Sequence, residues 1–467
     1  MKFVTDLHLH SKYSRAVSQN MTLSNLALWA KYKGINVVAT GDFTHPFWFD
    51  QLRNELEPTE NGLYRLKKIA TSLDKLGTRN DRDGKSDVYF LLSCEVSSIY
   101  SQGGKTRRIH NLFFFPTLSS VEKFNRELLA RGANLRSDGR PIVGIPSRDL
   151  LEIALTCDKK ALIICAHAWT PWYSVFGSFS GFDSIEECFG DMAKYIYAIE
   201  TGLSSDPAMN WQIGDLDNKA ILSFSDAHSL EKMGREATVF EGEEVSYDCI
   251  YEAIKNVSKA ANVSKTSKEK SPPRIAFTIE FYPEEGKYHF TGHRDCNFSQ
   301  SPDESKKNGD ICPVCHRPLT VGVMHRVEQL KTRNSKFEIR NKEGVQWIFD
   351  PVGARPPYVS LVPLSEILAE SLSVGAGTKK ANDVYSTLVS TLGSEFFVLT
   401  RASLDEVRRL AGDRVSEAIA KVRSRDIVVE PGYDGKFGVV KIWSESGEAG
   451  DAADDIGARE TQLNLFA

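Results

Sequence analysis

Short apolar runs rich in β-branched and aromatic residues recur through the first half of the chain, near Phe3, Ile35, Val88, Ile109, Leu162, Tyr195 and Ile221. Between several of them, apolar positions repeat at helical spacing. Thr22 is placed to cap a helix that runs to Tyr32 and is closed by Gly34. Ser119 or Ser120 is placed to cap another over 121–130, with Phe124 and the Leu128-Leu129 pair on one face. Strands alternating with helices predict an α/β unit with a parallel sheet over residues 1–254.

Beyond it the pattern changes. Residues 255–273 are rich in Lys and Ser with paired prolines and read as a linker. A strand-rich module is expected over 274–345, with runs at 275–281 and 287–292. Residues 346–443 are mostly helical in pattern, with short helices over 365–371 and 381–392. A single stripe over 403–423 follows, carrying Leu404, Val407, Leu410, Val415, Ile419 and Val422. Residues 430–438 are a turn-rich hairpin signal, and 444–467 are polar, acidic and small, which predicts a disordered tail.

Histidines and carboxylates stand at the predicted strand ends. His8 and His10 lie two apart after the run 3–7, so period-two geometry puts both imidazoles on one face. Asp42 ends 35–41, Glu95 ends 88–94, His110 lies in 109–115, His167 ends 161–166, and Asp226 and His228 follow 220–224. In a closed barrel the carboxyl ends of parallel strands converge, so residues remote in sequence meet there. Imidazole nitrogen and carboxylate oxygen without thiolate suit divalent ions at a hydrolytic site. Bridging carboxylates turn this into an expected cluster of zinc, manganese or magnesium ions, which activate water for attack on phosphorus without a protein nucleophile. Asp6 is better placed to orient a ligand imidazole than to bind metal, and His45 to ligate or to support. Trp169, Trp172, Tyr173 and Trp211 are candidates for stacking on a base.

A second ligand set lies in the central module. His293 and Cys296, then Cys312 and Cys315 fifteen residues on, place two zinc-type pairs in turns and predict one structural zinc in a ribbon-like site; His289 and His316 are alternatives to His293. The other five cysteines, Cys94, Cys157, Cys165, Cys188 and Cys249, read as reduced core thiols.

Composition narrows the class. At 41% hydrophobic and 26% charged the chain is an ordinary globular sequence, with no apolar run near the ~20 residues of a membrane span and no leader pattern, so a cytoplasmic location is expected. The net charge of −4 hides an asymmetry: residues 255–345 hold 17 Lys and Arg against 11 Asp and Glu, which suggests a polyanionic partner.

The opening Asp6-Leu7-His8-Leu9-His10 with Ser11 to Ser14, the strand-end Asp42, Glu95, His110 and His167, and the closing Ser225-Asp226-Ala227-His228 resemble the PHP (polymerase and histidinol phosphatase) superfamily. Within it, residues 39–46, 198–207 and 223–229 and the appended Cys312-Pro313-Val314-Cys315 are similar to endonuclease Q, to about residue 443. The resemblance implies a distorted seven-stranded barrel, a small zinc-ribbon module and a mostly helical C-terminal domain, the latter two gripping DNA. It implies that His8, His10, Glu95 and Asp226 hold one metal and act in catalysis. Glu95 would bridge to a second metal on His110 and His167, and Asp42 and His228 would belong to a third position. The sequence departs from the wider superfamily at Asp42, where His is usual, and near Arg15, where a further His is missing. The implied activity is endonucleolytic repair, cutting 5′ of deoxyuridine, deoxyinosine or deoxyxanthosine, with abasic sites a further candidate, in a nucleoid-associated protein. Reading one base in a duplex requires unstacking it, which is easiest at a mispair.

The terminal Gln462-Leu463-Asn464-Leu465-Phe466 is close to a bacterial sliding-clamp peptide, with Gln462, Leu463, Leu465 and Phe466 as its contacts on a polar tether. Two rival readings use the same residues: a phosphoesterase acting on a small phosphate monoester, and a clamp-recruited DNA scaffold with a degenerate metal site. Neither needs the full combination of ligand set, basic module and tail.

Overall fold

The computed structural model describes residues 1–67, 88–257 and 272–444. The expected tail with its clamp peptide, and most of the expected linker, lie outside the described residues. Among the described residues a sheet of fifteen strands organises the fold. Its path runs Ala220–Leu222, Ala198–Glu200, Leu162–Cys165, Lys105–Phe115, Tyr89–Gln102, Val37–Ala39, Lys2–Asp6 and Ala237–Glu241. It continues through Arg274–Glu280 and Tyr358–Ser360 to the hairpin of Glu338–Lys342 and Val345–Phe349.

Pairing is parallel on both flanks of the path, from Lys2–Asp6 to Tyr89–Gln102 and from Leu162–Cys165 to Ala220–Leu222. Lys105–Phe115 between them is antiparallel to both neighbours, which corrects the all-parallel expectation for the barrel. The cause is local: Gly103 and Gly104 take φ of 62° and 72°, the two-residue mirror turn that sends a strand straight back along its partner. The first eight strands form an arc whose ends meet through side chains. Ser223 N donates to Thr238 Oγ1 at 2.9 Å, Ser225 N donates to Asp6 Oδ1 at 3.0 Å, and Leu9 bridges Ala227.

Alternate residues of each strand feed two cores, as the strand period requires. Leu112, Phe114, Leu162 and Ile164 join Phe3, Leu7 and Phe224 against the helix Tyr247–Lys255. Phe113, Phe115 and Ile163 face the outer helices through Leu26, Leu52, Phe124 and Leu150. His110 shares the face of Leu112 and Phe114, and Glu95 that of Leu91, so both rise above the inner core.

The helix Leu23–Lys33 ends at Gly34 with φ 87°, as its sequence predicts. Leu118–Ala130 begins earlier than expected because Thr117, not Ser119 or Ser120, accepts the Ser120 N–H. The predicted stripe over 403–423 is two helices, Leu404–Ala411 and Asp413–Arg423, broken at Gly412 with φ 90°. Leu364–Leu372 and Lys379–Leu392 match expectation, and Val428–Glu430 with Val439–Lys441 form the expected hairpin. The helical region is tied to the first half by Lys33, whose buried ammonium lies 2.7 Å from Glu395 Oε2 and donates to Glu231 O at 3.0 Å. Among the described residues no helix is long and apolar enough to cross a membrane.

Candidate metal centre

Three turns deliver site residues in the left-handed region, Asp42 at φ 48°, His167 at 28° and Asp226 at 46°. Non-glycine residues held there cost roughly 1–2 kcal/mol each, a strain that recurs at functional sites. Gly202 follows the strand Ala198–Glu200, and a side chain there would collide with the backbone and Cβ of His167.

The Glu95 carboxylate divides the cluster. Its Oε2 lies 3.2 Å from His10 Nε2 and 3.6 Å from His8 Nε2. Asp226 Oδ1 closes that group at 3.4 Å from His8 Nε2 and 3.3 Å from His10 Nε2. On the other side, Glu95 Oε1 lies 2.6 Å from His110 Nδ1 and 3.1 Å from His167 Nε2, and these two ring nitrogens are 3.2 Å apart. Donor atoms of His10, Asp226 and His228 form a third group.

Four of the imidazoles are held from behind. His8 Nδ1 lies 2.9 Å and 3.1 Å from the two oxygens of Glu200, which also accepts the His167 N–H at 2.7 Å. His10 Nδ1 lies 3.1 Å from Asp42 Oδ1, His110 Nε2 3.1 Å from Ser97 Oγ, and His167 Nδ1 3.2 Å from Ser174 Oγ. Partners of this kind fix ring orientation and tautomer, leaving the inward nitrogen for a cation. His8 Nε2, His10 Nε2 and Asp226 Oδ1 are buried without a hydrogen-bond partner although they face one another. Orphaned acceptors converging from imidazole and carboxylate are costly alone, and suit divalent metal. The residues present therefore fit the expected ions.

Burial pushes the His8 and His10 imidazoles down, but Glu200 and Asp226 around the first and Asp226, Asp42 and Glu95 around the second hold both well above the usual range, so the cluster favours positive charge. Burial pushes the Glu95 carboxyl up, but His110 and Arg140 beside it hold it well below the usual carboxylate range. Asp226 is likewise held low against burial by His8 and His228. Burial draws His110 and His228 down to about 4, which leaves both rings neutral and free to donate a lone pair.

Of the residues singled out from sequence, His8, His10, Glu95, His110, His167, Asp226 and His228 are brought together. Asp42 is not: it sits behind His10, and its Oδ2 accepts from Ser11 N at 2.6 Å, Ser11 Oγ at 2.7 Å and Ser14 Oγ at 2.9 Å, so it supports a ligand ring. Asp6 orients no imidazole; it holds the turn carrying Asp226 through Ser225 N, Ser225 Oγ and Gly234 N. His45 stacks on Tyr13 at 4.5 Å, outside the cluster. Trp169 and Trp211 are core, the former donating to Asn210 Oδ1 at 2.7 Å. Trp172 stacks on the half-exposed Phe179 with centroids 4.6 Å apart, and Tyr173 lies 4.7 Å from the His110 ring. Sequence reasoning missed Glu200 and Arg140. Glu200 carried the same signal as Asp42, an acid closing a short apolar run; Arg140, in a loop, carried none.

A second group forms in the central segment, where donor atoms of His293, Cys296, Cys312 and Cys315 lie within 4.8 Å of one another. Cys315 Sγ is 3.3 Å from His293 Nδ1. His289 is buried elsewhere against Phe290, and neither it nor His316 joins the group. All eight cysteines are free thiols, with Cys94, Cys165, Cys188 and Cys249 buried and Cys157 half-buried.

A family model described as the MJ0043 C-terminal domain matches residues 363–426. The uncharacterized protein MJ0043 of Methanocaldococcus jannaschii is 30% identical over 286 residues; the alignment covers 59% of this chain but only 31% of that protein. Solved structures match over nearly the whole chain. The lesion-specific endonuclease PfuEndoQ of Pyrococcus furiosus is 30% identical with a TM-score of 0.74, covering 94% of this chain and 95% of its own. Endonuclease Q in complex with a 27-mer duplex bearing an abasic lesion at the active site is 31% identical with a TM-score of 0.75, covering 95% and 98%. Likeness of that extent in both sequence and fold settles kinship: the chain belongs to the endonuclease Q family.

Proposed function

We propose that the protein is a metal-dependent DNA repair endonuclease that hydrolyses the phosphodiester 5′ of a deaminated base, deoxyuridine, deoxyinosine or deoxyxanthosine, and of abasic sites. The observation that carries this reading is the 31% identical relative whose lesion-bearing duplex lies at its active site, matched over 95% of this chain. The centre itself has the right chemistry. His8, His10, Glu95 and Asp226 would hold one ion, Glu95 with His110 and His167 a second, and His228 with His10 and Asp226 a third. Divalent ions there supply activation of water and neutralisation of charge at phosphorus. The chain's own part is to fix the ligand rings through Glu200, Asp42, Ser97 and Ser174, so that no reorganisation is needed when the phosphate arrives. The stack of half-buried Trp172 on exposed Phe179 grows from the loop that carries His167 and suits an unstacked base.

The same reading assigns residues 1–254 to the nuclease unit, 255–273 to a linker, and 274–345 and 346–443 to DNA-gripping segments. His293, Cys296, Cys312 and Cys315 would share one zinc, and the peptide ending 444–467 would bind the sliding clamp. The test is a panel of end-labelled duplexes carrying one deoxyuridine, deoxyinosine, deoxyxanthosine or abasic site, incubated with manganese or magnesium beside a lesion-free duplex and a phosphomonoester. Nicking confined to lesion duplexes supports the reading. Phosphate release with every duplex intact would move the protein to small-molecule phosphoesterases.

A further inference from the structure

Among the described residues Arg140 is the Lys or Arg that pairs with a ligand carboxylate of the cluster, Glu95, and nothing in the metal chemistry requires it. Its turn is pinned all round. Gly139 N donates to Tyr13 O at 3.0 Å, Thr44 Oγ1 donates to Gly139 O at 3.0 Å, Arg140 N donates to Asp138 Oδ1 at 3.1 Å, and Ser97 N donates to Pro141 O at 3.0 Å. A side chain at Gly139 would collide with Asp42 and Ser14, so the turn packs directly on the wall behind His10.

The guanidinium that this turn delivers makes a single side-chain hydrogen bond among the described residues, Nη1 to Glu95 Oε2 at 3.3 Å. That oxygen is the one that faces His8 and His10. Its side chain is only 14% exposed, and the rest of the donor fork has no protein hydrogen-bond partner among the described residues. Removing an arginine from water for one long hydrogen bond is poor structural economy, since a solvated lysine would screen Glu95 as well. A preformed, half-desolvated fork beside a carboxylate cluster instead suits an anion that arrives later.

We propose that Arg140 is a catalytic residue that binds a non-bridging oxygen of the scissile phosphate, steadied by Glu95 through one N–H while the remaining fork faces the substrate. This deepens the phosphodiesterase reading of the same site and rests on it.

The test compares full-length Arg140→Gln and Arg140→Lys with wild type. Three quantities are read: bound metal by elemental mass spectrometry, affinity for a lesion duplex in calcium as a function of salt, and kcat with KM in manganese. Both variants should keep wild-type metal content and thermal transition. Arg140→Gln should lose about 10²-fold in kcat, and the slope of log affinity against log salt should shrink by about one. Arg140→Lys should keep the slope, because the charge remains, but recover only part of kcat, because the fork is gone. Metal loss or an unfolded protein in both variants would make Arg140 a partner of Glu95 alone and overturn the proposal, as would an unchanged kcat and slope. Inorganic phosphate as a competitive inhibitor separates the two levels of the argument. If the wild type cleaves only a phosphomonoester, the DNA reading fails, yet a roughly tenfold weaker phosphate inhibition of Arg140→Gln would still support the contact.

Discussion

Glu200 is the residue whose replacement says most about the centre, because it touches two of its ligands without facing the cluster. One carboxylate oxygen accepts the His167 N–H at 2.7 Å and both approach His8 Nδ1, at 2.9 Å and 3.1 Å, in a fully buried setting. Glu200→Gln keeps the shape but removes the charge and leaves a single carbonyl oxygen, which in the place of Oε2 still accepts from His167 N and reaches His8 Nδ1 at 3.1 Å, while the shorter 2.9 Å contact to His8 is lost. The amide group that replaces the other oxygen then points a donor at a donor. Loss of the carboxylate behind a ligand imidazole costs about 10- to 100-fold in metal affinity, or about 1.4–2.8 kcal/mol. One unpaired buried N–H costs a further ~1–3 kcal/mol of fold stability. Metal affinity is read by chelator competition, and stability by thermal unfolding with and without metal. The variant should bind metal about 10- to 100-fold more weakly, and the gap between loaded and metal-free transitions should narrow, since stabilisation by a ligand follows its dissociation constant. Metal affinity within about twofold of wild type, with a lowered metal-free transition, would show that Glu200 only props the fold and would refute the account of His8.

Three other perturbations have defined outcomes. Lys33→Ala removes one partner of the buried pair with Glu395 and should destabilise the protein by about 3–5 kcal/mol in urea titrations, so a loss below about 1 kcal/mol would mean the pair is solvated. Burial pushes the Glu280 carboxyl up to about 8, while Ser223 and Thr278 bond its ionised form and Asp206 stands nearby. A folded value raised above the unfolded one of about 4.3 gives stability that is present below that value and lost as pH rises through about 8. Thermal midpoints should therefore fall from pH 5 to 9 less steeply in Glu280→Gln than in wild type; parallel curves would contradict the shift. Cys312→Ser with Cys315→Ser should release one equivalent of zinc and weaken DNA binding; unchanged zinc content would remove that site.

How far the site was legible follows from where its geometry is decided. His8 and His10 could be read as a pair because strand period fixes which face alternate residues share. Asp42 and Glu200 could not be told apart: each closes a short apolar run, and whether such an acid enters the cluster or props a ring depends on the turn after it, as at Asp42 with φ 48°. The antiparallel course of Lys105–Phe115 was written in Gly103-Gly104, but the alternation of strands and helices elsewhere outweighed it. Gly412 divides a helical stripe whose apolar period continues across the break, because each helix buries its own apolar positions, Val407 in the first and Val415, Ile419 and Val422 in the second. Arg140 was beyond reach, since its place depends on contacts from Tyr13, Thr44 and Ser97, which come together only in the fold.

Loaded with metal, this cluster is expected to nick DNA beside a lesion. The most direct measurement maps the cut in a duplex with one abasic site or one deoxyuridine, using metal-loaded protein, chelator-treated protein and Asp226→Asn. The account predicts a single break immediately 5′ of the lesion with the loaded wild type, and none with the other two or in the lesion-free duplex. Cleavage that survives the chelator or Asp226→Asn, or that ignores the lesion, would contradict it.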